Sequence, residues 1–101
     1  MNGLTKMVDI LIYTRKETLE HKKKVVDDPT YFCYWRLGTK PRNVKVGDRI
    51  YFATDGKIRG SFEITAFYSN EIHWNPKSWK PVDIEERTTH FKGFKYFWAT
   101  W

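Results

Sequence analysis

Tyr31, Tyr34 and Trp35 stand directly before Arg36, Lys40, Arg42 and Lys45, so flat π-surfaces and cations share one short stretch. Single-stranded nucleic acid needs both, ring faces to stack on bases and cations to meet phosphates. Trp35 and Trp74 are the leading stacking candidates, because each neighbours a polar or charged residue. The competing reading is that alternate members, such as Phe32 and Tyr34, simply fill a core. Lys57 and Arg59 lie two apart and share one strand face, which suits a phosphate contact or an unengaged surface pair. Arg87, Thr88, Thr89 and His90 form a polar stretch in which a base edge could be read. Lys22-Lys23-Lys24 reads as a solvated helix end, favourable there through the helix dipole.

Side chains suited to covalent or metal chemistry are sparse. His21, His73 and His90 are scattered and make no ligand motif. Cys33 is the single cysteine, which excludes an intramolecular disulfide and a cysteine metal cluster. It sits in an apolar run, where a thiol is usually inert packing, and a Cys–His nucleophile pair is the minor alternative. Glu85 and Glu86 are adjacent, and neighbours on a strand point to opposite faces, so they read as a solvated pair. No catalytic residue, metal or cofactor is expected.

The elements that must hold these residues fit in one domain, since 101 residues leave room for one core. Aromatic residues make up 18% of the chain and include five Trp, more than compact packing usually needs. The net charge of +6 is concentrated. Residues 31–60 carry seven basic side chains against Asp48 and Asp55, whereas residues 61–101 carry five of each sign. Such a local excess attracts polyanions through counterion release, although a solvated basic face without a partner has the same composition. Met1 to Lys6 lack the features of a secretory leader, and no run approaches the length of a membrane helix. A soluble cytoplasmic protein, taken as a monomer, is the expectation.

Val8 to Tyr13 is a β-branched, apolar run and predicts a buried first strand. Thr14 and Glu17 have capping-box spacing, which predicts a short, mostly exposed helix anchored by Leu19 and closed by Pro29. Tyr31 to Leu37 reads as an aromatic strand and Gly38 to Asn43 as a loop. Arg49 to Thr54 and Lys57 to Phe67 flank Asp55-Gly56, the dipeptide favoured in type I′ hairpin turns. Alternation in the return strand puts Ile58, Gly60, Phe62, Ile64 and Ala66 on one face. Gly60 inside that strand predicts a bulge, a bend or close approach by another backbone. Glu71 to Trp74 is a further short strand, Pro81 marks Trp79 to Ile84 as an edge segment, and Phe91 to Trp98 is the last strand. The reading is mainly β (α+β), about six strands with one or two short helices, closed or partly closed as a barrel.

Val46-Gly47-Asp48-Arg49-Ile50-Tyr51-Phe52, followed by Asp55-Gly56-Lys57-Ile58-Arg59-Gly60, resembles the central hairpin of the PUA-like superfamily, which includes the PUA, ASCH and EVE/YTH-type domains. The shared pattern is a Gly-Asp turn into a strand, a hairpin, then an apolar residue shortly before a second Gly. The resemblance implies a small PUA-like pseudobarrel that binds RNA or a modified base. The Trp-bearing segment before the Gly-Asp turn looks more like the EVE/YTH side, which can read a modified base in an aromatic cage. Glu17-Thr18-Leu19-Glu20 stands where ASCH domains carry a Gly-x-Lys-x-x-Glu-x-Arg signature, without its Gly or Arg.

These readings converge on a non-catalytic module that binds nucleic acid, RNA in preference to DNA. Its expected binding residues are Tyr34, Trp35, Arg36, Lys40, Arg42, Lys45, Lys57, Arg59 and Trp74. An ASCH-type hydrolase of modified nucleosides, using Lys16, Thr18 and Glu20, is one alternative. A protein-interaction domain with exposed aromatics is the other.

Overall fold

The computed structural model describes residues 9–24, 33–39, 41–82, 88 and 91–97. Its strands are β1 (Asp9–Tyr13), β2 (Tyr34–Arg36), β3 (Arg49–Thr54), β4 (Lys57–Tyr68), β5 (Glu71–Trp74), β6 (Lys80–Pro81) and β7 (Lys95–Phe97). Among the described residues one α-helix, α1 (Lys16–Lys24), follows β1, and one 3-10 turn spans Pro76–Ser78. The protein is mainly β. No helix among the described residues is long and apolar enough to cross a membrane.

The strands form one mixed sheet in the order β2-β5-β4-β3-β1-β7, with β6 alongside β4. β1 runs parallel to β3, pairing Ile10 with Ile50 and Ile12 with Phe52, and antiparallel to β7. The end strands β2 and β7 do not pair with one another, so among the described residues the sheet is not closed, where a closed or partly closed barrel was expected. Among the described residues the one or two expected short helices are α1 and the 3-10 turn, and β7 begins at Lys95 where a strand from Phe91 was expected.

Local chemistry explains the best-defined part. The β3–β4 hairpin turns at Asp55 (φ 52°) and Gly56 (φ 79°), the double positive φ of a type I′ turn. Gly47 (φ 98°) begins the turn into β3, where the Asp48 carboxylate accepts from the Lys45 N–H at 2.8 Å. Gly60 is required by contact. A Cβ there would sit 2.5 Å from Cζ2 of Trp79 and 2.6 Å from the Lys80 carbonyl, so only Gly lets β6 and the Trp79 ring lie on β4.

Strict alternation along β4 does not hold. Phe52 faces Gly60 while Ala53 faces Ile58, which leaves Arg59 as the extra residue of a bulge. Ile64 faces Trp74 while Ala66 faces His73, so a second irregularity falls at Thr65. Ile58 and Ala66 therefore leave the face that Phe62 and Ile64 share. Ile58 joins Leu11, Tyr51 and Ala53 in a small cluster on the opposite side. The main core lies on the other face, around Ile10, Ile12, Ile50, Phe52, Phe62 and Trp74, and takes only Leu19 from α1. The helix also starts one residue later than the capping-box spacing predicts. Its first hydrogen bond runs from Leu19 N–H to the Arg15 carbonyl, and Thr14 N–H extends β1 by donating to Ala53 at 2.9 Å.

Candidate nucleic-acid interface

Two residues that begin β1 and β3, Asp9 and Arg49, set the frame. Asp9 is 5% exposed, and its carboxylate accepts from the Arg49 N–H at 2.8 Å. Burial pushes the Asp9 carboxyl up, and that hydrogen bond partly offsets the effect. The Arg49 guanidinium bridges Ser61 Oγ at 2.6 Å and the Ser78 carbonyl at 2.5 Å, so Ser61 is buried but satisfied. Arg49 is thus committed to joining β4 to the 3-10 turn.

Parallel β1 and β3 end together, and a cavity of about 590 Å³ opens at that end. Tyr13 closes β1 beneath it, Trp35 forms a wall from β2, and Asp55 reaches it from the hairpin tip. The Tyr13 hydroxyl accepts the Gly56 N–H, which ties the hairpin tip to the end of β1. Arg15, Lys16, Glu17 and Asp55 all line it, so its formal charges balance. In the sequence Thr14 to Glu17 reads as a helix start, with Lys16 a site candidate only for the hydrolase alternative. The available signal was a polar run directly after a buried strand, the position where loops commonly carry function.

Trp35 is half-buried, with its ring edge-on to Phe52 at 5.6 Å between centroids. Trp74 has the opposite fate. It is 3% exposed, stacks on Phe62 at 5.2 Å and packs against Phe52, so the expectation that it offers a stacking face is corrected. Its Nε1–H has no hydrogen-bond partner among the described residues. The Lys22 ammonium lies 5.5 Å from the Trp35 ring and 5.4 Å from the Trp74 ring, and donates to the Tyr34 carbonyl at 2.9 Å. Burial lowers its pKa. Lys22 is therefore a packed residue, not the free helix-end charge its sequence suggests.

Tyr34 points to the other side of β2 from Trp35, stacked on His73 at 5.4 Å. His73 also meets Tyr68 edge-on and shares a hydrogen bond with Glu71 at 3.1 Å. Arg36, expected to meet phosphate, is paired with Glu71 at 2.6 Å. That hydrogen bond, and then the one to His73, holds the Glu71 carboxyl below its usual range.

The remaining cations separate. Arg42 and Lys45 line a shallow concavity of about 550 Å³ with Val46 and Phe67. Arg59 lines a third, of about 270 Å³, between α1 and β6. Lys57 is half-buried at the start of β4 and lines none of these three, unlike Arg59. Lys40, Tyr31, Arg87, Thr89, His90, Glu85 and Glu86 lie outside the described residues; Thr88 donates its N–H to the Gly56 carbonyl at 2.9 Å.

The groups needed for chemistry do not converge. Lys16 lines the Trp35 cavity with Thr18 and the third one with Glu20, so none of these cavities holds all three. Burial raises the Cys33 thiol pKa, with Lys22 opposing, which disfavours a thiolate nucleophile. Among the described residues, no group of three or more His, Cys, Asp or Glu is placed to hold a metal ion. Comparison with protein-family models, curated proteins and solved structures gave no match.

Proposed function

We propose that this chain is a non-catalytic RNA-binding module of PUA-like architecture that takes one base, plain or modified, against Trp35. The observation that carries this reading is the cavity of about 590 Å³ walled by the half-buried Trp35 ring. Its volume falls in the range of small-molecule sites. Balanced charges suit an uncharged ring system whose edge carries donors and acceptors, and Glu17, Asp55 and Thr18 supply acceptors and a hydroxyl. The net charge of +6, with Arg42 and Lys45 exposed, supplies long-range attraction for a polyanion. The Gly47-Asp48 turn, the type I′ hairpin and the Gly60 contact support the PUA-like part of the reading, and a cytoplasmic monomer goes with it.

Fluorescence titration with labelled single-stranded RNA tests it. Affinity should fall steeply with salt, and Trp35→Ala should weaken binding about tenfold or more, the loss of one base–aromatic stack. Absence of salt-dependent binding to any RNA, or a Trp35→Ala variant that binds as well as wild type, would overturn the proposal.

A further inference from the structure

The smaller cavity between α1 and β6 differs from the Trp35 cavity in charge. Lys16, Lys23 and Arg59 face it against the single carboxylate of Glu20, an excess of two positive charges. Its volume, about 270 Å³, is under half that of its neighbour. Lys16 lines both.

The cations there are held in position. Arg59 is the extra residue of the β4 bulge, a feature that re-aims a side chain out of simple alternation. Its Nε donates to the buried Thr54 Oγ1 at 3.0 Å, fixing one edge of the guanidinium while the side chain remains exposed. Lys23 lies 4.9 Å from the centre of the Trp79 ring and 3.8 Å from Glu20. Trp79 is itself seated against Gly60, so the wall of the cavity depends on that missing Cβ. A guanidinium fork with two ammonium groups around a small concavity matches the oxygens of a phosphate group.

We infer that the α1–β6 cavity is a phosphate subsite, binding the phosphodiester that adjoins a base held at Trp35. A charge-balanced aromatic cavity and a cationic one, sharing Lys16, would divide a nucleotide strand into base and backbone. The placement of the strand rests on the base-stacking reading above, and the following experiment separates the two.

Inorganic pyrophosphate is titrated into ¹⁵N-labelled protein, following the Arg59 Nε–H and Trp79 indole resonances. Both should shift and saturate, the Trp74 indole should stay in place, and Arg59→Gln and Lys16→Gln should each remove the Trp79 response. In parallel, Arg59→Gln should weaken binding of an oligouridylate several-fold and lower the slope of log affinity against log salt by about 0.7. If pyrophosphate leaves Arg59 and Trp79 unmoved, the phosphate subsite is overturned even where oligouridylate still needs Trp35. If pyrophosphate binds and no oligonucleotide does, the subsite stands and the base reading fails.

Discussion

Trp35 and Trp74 are chemically identical and sit on paired strands, yet one lines a cavity and the other is sealed in the core. The difference is strand position. β5 lies between β2 and β4, so Trp74 meets Phe62 on one side and Phe52 beyond it. β2 ends the sheet, and Trp35 packs against Phe52 yet is only half-buried and lines the cavity with Tyr13. Polar flanking residues are thus a poor guide to exposure in a short sheet. What decides is how many strands lie beyond the one in question.

The contrast can be broken most sharply by truncation. Trp74→Ala should cost about 3–5 kcal/mol of stability in urea unfolding, the usual scale for a buried aromatic. Trp35→Ala should cost only about 1–2 kcal/mol, because much of its ring is not sealed in the core. Equal losses would place both rings in the core and remove the basis for a binding role at Trp35. The smallest effect belongs to Lys22, whose ammonium touches both rings. Its folded pKa lies below the usual value, so between the two pKa values the unfolded chain binds more protons than the folded one. Stability should therefore gain from raising the pH through that alkaline window. Comparing wild type with Lys22→Met across it isolates the term, and an identical pH dependence in both would show that the amine is not buried in solution.

Much of the frame was legible in the sequence. Asp9 to Tyr13, Asp55-Gly56, Gly47-Asp48 and Pro81 each behave as their local chemistry requires, because turns and short buried runs are specified within a few residues. Gly60 was legible as an anomaly, though not as the seat of the Trp79 ring. The two irregularities in β4 were not legible, since they are settled by what β3 and β5 place opposite. The site was less accessible still. Arg36, Arg42, Lys45 and Arg59 look like one basic region in sequence and occupy three places in the fold, one of them neutralised by Glu71. The residues that build the Trp35 cavity come from four elements, and nothing local announces their meeting.

The parallel pairing of β1 with β3 also orders events in time. β3, β4 and β5 are joined by tight turns and pair with neighbours close in the chain, whereas Ile10 must find Ile50 and Asp9 must find Phe97. Contacts between distant residues carry the larger loop-closure cost, so the meander is expected to form in the folding transition state and β1 to dock afterwards. Ile64→Val should then slow folding, while Ile10→Val should mainly speed unfolding, a difference that stopped-flow chevrons measure. The reverse pattern would put β1 in the nucleus. A chain that has folded only its meander holds part of a core but has nowhere to receive a base, because Tyr13 and the start of α1 arrive with the last step.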